Sequence, residues 1–203
     1  DAQPVEVAFT VVRDPWEQIL RFKIQGHDLV LRRGEWSDWL PLRFELLPHF
    51  SSIAGMVRIY VKRVHPELQL YISPINVDPM EPVLPITSPP GYSAEVAKAI
   101  GRFHTIGLPA NTKALQNGIF SDRDFLAQAV LVLEESMRAL EFELSRFRDG
   151  FLFFYFSSTD QCAHMLLRAM DPSHPLHNPT AHADVKGAIR MLYGEMDKAL
   201  GRT

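Results

Sequence analysis

Six prolines fall between residues 74 and 90, at Pro74, Pro79, Pro82, Pro85, Pro89 and Pro90, and they constrain the chain more than any other feature. Each removes a backbone N–H and fixes φ, so this stretch can hold neither a helix nor a central strand. It reads as a connector, with a domain boundary near residue 90. The hydrophobic patterning differs in kind on its two sides.

On the N-terminal side the signals are those of strands and turns. Val5-Glu-Val-Ala-Phe-Thr-Val-Val12 is β-branched and partly alternating, and Asp14-Pro15 ends it. Phe22-Lys-Ile24 and Leu29-Val-Leu31 flank Gln25-Gly26-His27-Asp28, where the glycine can take the positive φ of a hairpin turn. Further strands are expected at Leu40-Pro-Leu-Arg-Phe44, Met56-Val-Arg-Ile-Tyr-Val61 and Leu68-Gln-Leu-Tyr-Ile72. Trp36, Trp39 and Tyr60 sit in this half. Aromatic residues in a β-rich domain mostly build its core, and the same rings can also stack on a ligand.

Beyond residue 90 the period becomes helical. Ala94 to Phe103 reads as a short helix, and Ser121-Asp-Arg-Asp124 reads as a capped start to a long one. Phe125, Ala129, Leu133, Met137, Leu140 and Leu144 give that helix one apolar stripe. Phe151-Leu-Phe-Phe-Tyr-Phe156 follows Gly150 and is too short for a helix, so it is expected to form a strand covered on both faces. A last helix places Val185, Ile189, Leu192 and Met196 on one face, with Gly201 as its cap. Helix, buried strand and helix make an α/β segment over 91–203, behind a β-rich subdomain over 1–90. The chain as a whole is then α+β.

Composition narrows the function classes. With 46% hydrophobic and 22% charged residues and a net charge of -3, the chain is expected to fold, and no attraction to nucleic acid or anionic membrane is implied. No apolar run is long enough to span a bilayer. The opening Asp1-Ala-Gln-Pro-Val5 has neither the basic nor the apolar region of a signal peptide. One cysteine, Cys162, excludes an internal disulfide framework and says nothing of compartment.

The residues able to do chemistry gather after the aromatic run, in Ser157-Ser-Thr-Asp160-Gln-Cys-Ala-His164. On a helix, Asp160 and His164 are four apart and share a face, so a carboxylate oxygen and an imidazole nitrogen can bind one zinc-like ion. The same spacing also suits Asp160 as a helix cap and His164 as a packed histidine beside Met165 and Leu167. Ser158 and Thr159 can orient such ligands by hydrogen bonds, or serve as turn and capping residues. His174, His177 and His182 lie in a proline-rich surface loop, where histidines are usually solvated; His174 and His177 are candidates for the mouth of a substrate site.

The run Phe153-Phe-Tyr-Phe-Ser-Ser-Thr-Asp160-Gln-Cys-Ala-His164-Met-Leu-Leu-Arg168-Ala-Met-Asp171-Pro172-Ser-His174-Pro175, with the close Tyr193-x-x-Met-Asp197-x-x-Leu-Gly201, resembles the type I phosphodiesterase/nucleotide pyrophosphatase family of the alkaline phosphatase superfamily. The resemblance is most specific over 151–203. More loosely, Trp36-Ser-Asp-Trp39 and Leu70-Tyr-Ile-Ser-Pro-Ile75 look like segments of a bacterial branch of the family, which implies that the β-rich half is an inserted or cap subdomain and the rest a partial alkaline-phosphatase-like layer. The resemblance implies two divalent metal ions, zinc above all, with Asp160 and His164 binding one of them. It implies phosphodiester or nucleotide-like substrates and a parent enzyme of the bacterial cell envelope. The family's nucleophile, first metal-binding Asp, Asp-His-Gly segment and final His have no counterpart here, so the expectation is a middle fragment, inactive in isolation and able to self-associate. A binding or lid module, or a sulfatase, phosphonate hydrolase or phosphomutase branch of the superfamily, are the alternatives.

Overall fold

Gln25 and Gly26 both take positive φ, +41° and +82°, the conformation of a two-residue turn that matches strand twist, and the first sheet grows from that turn. A computed structural model describes residues 5–47 and 51–202; residues 1–4, the start of the stretch without signal-peptide character, lie outside them. Around the turn, β1 (Phe9–Arg13), β2 (Ile19–Ile24) and β3 (His27–Arg32) form an antiparallel sheet in that order. Leu20, Phe22 and Ile24 alternate with exposed Arg21 and Lys23, so one face of β2 enters the core. The turn is tied down by its own side chain: the Gln25 amide donates to the carbonyl of Arg43 and accepts from its N–H, each at 2.7 Å, as a neighbouring strand would.

Arg43 belongs to β4 (Leu40–Leu47), which pairs with β5 (Ser51–Val57); β5 in turn takes β8 (Asn76–Val77). The two-residue β8 lies at a sheet edge inside the proline-dense stretch, where missing amides are tolerated. β6 (Ile59–Arg63) and β7 (Gln69–Ile72) form a separate antiparallel pair. The single strand expected over 56–61 is thus divided at Arg58. Met56, Val57, Ile59, Tyr60 and Val61 are all buried because the chain passes from one sheet to another there. Arg58 is buried as well, its guanidinium 5.0 Å from the centroid of Trp39. Trp36 stacks on Tyr60 at 4.8 Å and meets the ring of Tyr71 edge-on. With Trp39, Tyr60 and Tyr71 buried, these rings are core rather than ligand platform.

The chain divides into two compact units, residues 1–98 and 99–203, and the division falls within α1 (Tyr92–Ile100). In the second unit α2 (Thr112–Gln116) is capped by Asn111, whose side chain accepts from the Ala114 N–H. α3 (Asp122–Arg146) opens with a capping box in which Ser121 and Asp124 satisfy each other's backbone N–H groups. α4 (Ser157–Met170) packs on α3 and on α5 (Ala183–Leu200). Phe125, Ala129, Leu133, Leu166, Val185 and Leu192 are buried among the three helices.

Residues 151–156 depart from expectation. They belong to no strand, only Phe156 at the start of α4 is shown with an extended backbone, and the odd-numbered rings are exposed. A strand needs a hydrogen-bonded neighbour, and no strand is present among the described residues of 99–202 to provide one. In place of the expected helix-strand-helix layer, the described residues of 99–202 form helices, with 151–156 outside any strand between α3 and α4. The chain remains α+β, antiparallel sheets followed by helices. Among the described residues no helix is long and apolar enough to cross a membrane.

Candidate functional site

α4 begins three residues earlier than Asp160, with Phe156 at the cap position and no side-chain capping bond. Two hydroxyls in its first turn take up main-chain acceptors instead. Ser158 is buried and donates to the carbonyl of Ala129 in α3 at 3.1 Å, and Thr159 donates to the carbonyl of Phe156 at 2.9 Å. The inward face continues with Gln161, Cys162, Leu166 and Ala169. Burial pushes the Cys162 thiol up to about 12, which leaves it protonated and unreactive at neutral pH.

Asp160 and His164 occupy the opposite, outward face. Their side chains are 51% and 77% exposed, and His164 Nε2 stands 3.5 Å from Asp160 Oδ1. That separation has chemical meaning. Two donor atoms bound to one tetrahedral zinc at about 2.1 Å each stand about 3.4 Å apart. The pair is thus spaced as two ligands of a single ion, held by a turn whose inner face is anchored to α3. Two ligands do not make a catalytic zinc site, which uses about three from the protein. Among the described residues no group of three or more histidine, cysteine, aspartate or glutamate side chains is placed to hold a metal.

The other candidate histidines lie elsewhere. His177 Nδ1 is 3.0 Å from the carbonyl of Arg168, and His174 Nδ1 accepts from the N–H of Leu176 at 3.1 Å, so both rings help shape the loop after α4. Asp171 in the same loop is held below the usual carboxylate range by the hydroxyl and N–H of Ser173, with smaller contributions from His174 and His177. At 1.5 Å of rise per residue this loop begins roughly 15 Å along the helix axis from Asp160. The structure brings Asp160 and His164 together and leaves His174 and His177 at the far end of α4.

Comparison with protein-family models, curated proteins and solved structures finds no match to this chain. The site must therefore be read from its own residues.

Two features escaped the sequence reading. His104 Nδ1 lies 2.6 Å from Glu135 Oε2, which also accepts the His104 N–H at 3.0 Å, and both side chains are nearly inaccessible. The signal was present: Gln128, Val132 and Glu135 follow helical spacing on the buried side of α3, and a glutamate there demands a partner. A cavity of about 470 Å³ also opens between α3 and α5, floored by Leu133, Met137 and Met191. Neither Asp160 nor His164 lines it.

Proposed function

We propose that this chain contributes part of the active site of a metal-dependent phosphoric ester hydrolase, of the phosphodiesterase/nucleotide pyrophosphatase kind, with Asp160 and His164 as two ligands of one of two divalent ions. The single observation that carries the reading is the 3.5 Å separation of Asp160 Oδ1 and His164 Nε2 on a solvent-facing helical turn. The likeness of residues 151–203 to the family's Asp-x-x-x-His segment supports it. Such an ion polarises the phosphoryl group and lowers the pKa of a bound water. The residues of this chain bind and orient: the Asp160 carboxylate supplies charge, neutral His164 supplies Nε2, and Ser158 and Gln161 hold the turn that carries them. The nucleophile and remaining ligands come from a further segment of polypeptide. Substrates are phosphodiesters or nucleotide-like esters.

Zinc and manganese titrations by calorimetry test the proposal. The 203-residue chain should bind zinc weakly, and Asp160→Ala and His164→Ala should each abolish that binding while leaving the far-UV spectrum unchanged. Zinc affinity that survives both substitutions sinks the assignment. The chain alone should not hydrolyse an aryl phosphodiester above the buffer rate, because two ligands leave the ion mostly water-bound. Turnover lost on Asp160→Ala would instead place a complete site within these residues.

A further inference from the structure

α3 and α5 run side by side in the same direction, tied by an ion pair near each end. In their first turns Arg123 Nε stands 2.9 Å from Asp184 Oδ2, and just past the last turn of α5 Arg202 pairs with Glu141 of α3. Toward the second tie the two helices frame the cavity of about 470 Å³, a size within the roughly 300–1,000 Å³ of small-molecule sites. A bare ion would leave it mostly empty. Its floor is apolar, with Leu133 and Met137 from α3 meeting Met191 and Ala199 from α5. The polarizable sulfur of methionine makes favourable contacts with aromatic rings, often at the ring edge, so a floor with a methionine from each helix favours an aromatic body over an aliphatic one.

The rim is charged, and its charges are not all matched. Glu141 is taken by Arg202, and Lys198 Nζ lies 2.7 Å from Glu195 Oε1. That leaves Glu134 and Arg138. They stand one turn apart on α3 in the order that favours an ion pair, yet none joins them. Arg138 uses only Nε, 3.3 Å from the carbonyl of Ile100 at the end of α1, and this bond steadies the guanidinium. Its Nη groups and the Glu134 carboxylate have no partner among the described residues. One open anion and one open cation thus share the rim above an apolar, sulfur-bearing floor.

We propose that this cavity binds a free aromatic α-amino acid. The ring lies against Met137 and Met191, the ammonium donates to the Glu134 carboxylate, and the α-carboxylate accepts from the Nη groups of Arg138. Charge complementarity selects the zwitterion. An anion of the same shape would satisfy Arg138 but face Glu134, and a cation would satisfy Glu134 but face Arg138. The inference is independent of the metal reading, since the site lies wholly within 99–203 and uses neither Asp160 nor His164.

L-phenylalanine titrated to about 20 mM into the 203-residue chain, with its methionine methyls labelled for NMR, tests the site. A ligand of about 12 non-hydrogen atoms held at an open rim should bind with a Kd of about 1 mM, well within that range. The methyl signals of Met137 and Met191, assigned with Met137→Leu and Met191→Leu, should shift, and those of Met56 and Met80 in unit 1–98 should not. 3-Phenylpropionate lacks the ammonium and 2-phenylethylamine lacks the carboxylate; each should bind about fivefold more weakly, as for the loss of one exposed ion pair. L-leucine, a zwitterion without a ring, should also bind more weakly than phenylalanine. Glu134→Gln should erase the preference over 3-phenylpropionate, and Arg138→Gln the preference over 2-phenylethylamine. Both side chains are exposed, so the far-UV spectrum should stay unchanged. Absence of methyl shifts at 20 mM, shifts confined to other methionines, single-charge analogues or leucine binding as tightly as phenylalanine, or variants that keep the wild-type preferences would each overturn the assignment.

Discussion

Replacing Gln161 with leucine should loosen the turn that carries Asp160, and the cost can be worked out atom by atom. Gln161 is 2% exposed and brackets the backbone of Ala110, donating to its carbonyl at 2.9 Å and accepting from its N–H at 3.4 Å. Leucine fills a similar volume without polar atoms. The Ala110 carbonyl would keep the N–H of Thr112, 2.9 Å away, but the fully buried Ala110 N–H would lose its acceptor. An orphaned buried N–H costs about 1–3 kcal/mol, and the 3.4 Å bond sets this one near the low end; the lost carbonyl bond adds about 1 kcal/mol. The sum is about 2 kcal/mol. With a urea m-value of about 1.5 kcal/mol/M, the unfolding midpoint should fall by about 1 M. All three tryptophans, Trp16, Trp36 and Trp39, belong to unit 1–98, whereas α2 to α5 belong to 99–203, so ellipticity at the helical band is the appropriate readout. A midpoint shift below about 0.3 M would show that the glutamine bracket contributes nothing and would refute the bookkeeping behind it.

Asp28 is held down to about 2, first by its hydrogen bonds with Arg21 and then by Lys23. Because the folded value lies below the unfolded one, near 3.9, the stabilisation is complete above about pH 4 and is lost as pH falls through about 2. Asp28→Asn should flatten the acid dependence of the tryptophan-monitored unfolding transition in that window, and an unchanged slope would count against the pairing. Gly55→Ala should destabilise the β-rich unit by about 1 kcal/mol, the low end of overpacking costs, since the new methyl would stand 2.7 Å from Ile75 Cγ2 and that side chain is exposed enough to give way. Adding Ile75→Ala should relieve the shortest contact and leave the Phe44 ring at 3.0 Å, so a double-mutant cycle with no coupling would contradict the stated contact.

Legibility in the sequence followed the range of the interaction. Gln25-Gly26 announced its turn and Ser121 with Asp124 announced a helix start, because each motif satisfies its own neighbours within a few residues. Arg58 hid a change of sheet: alternation over 56–61 records which side chains want burial, not which strand they pair with. The same distinction explains Phe151 to Phe156, whose residues prefer a ladder that no described strand completes. His104 and Glu135 are 31 residues apart, and nothing local to either names the other. The outward pair Asp160 and His164 was legible because helical spacing alone puts them on one face. The turn that carries them is fixed in place by residues on its other face. Ser158 fastens the first turn to α3, Gln161 fastens it to Ala110, and Cys162 and Leu166 bury the side of α4 turned away from the pair. The helix backbone that presents the exposed carboxylate and imidazole is therefore held from behind, by its own buried face.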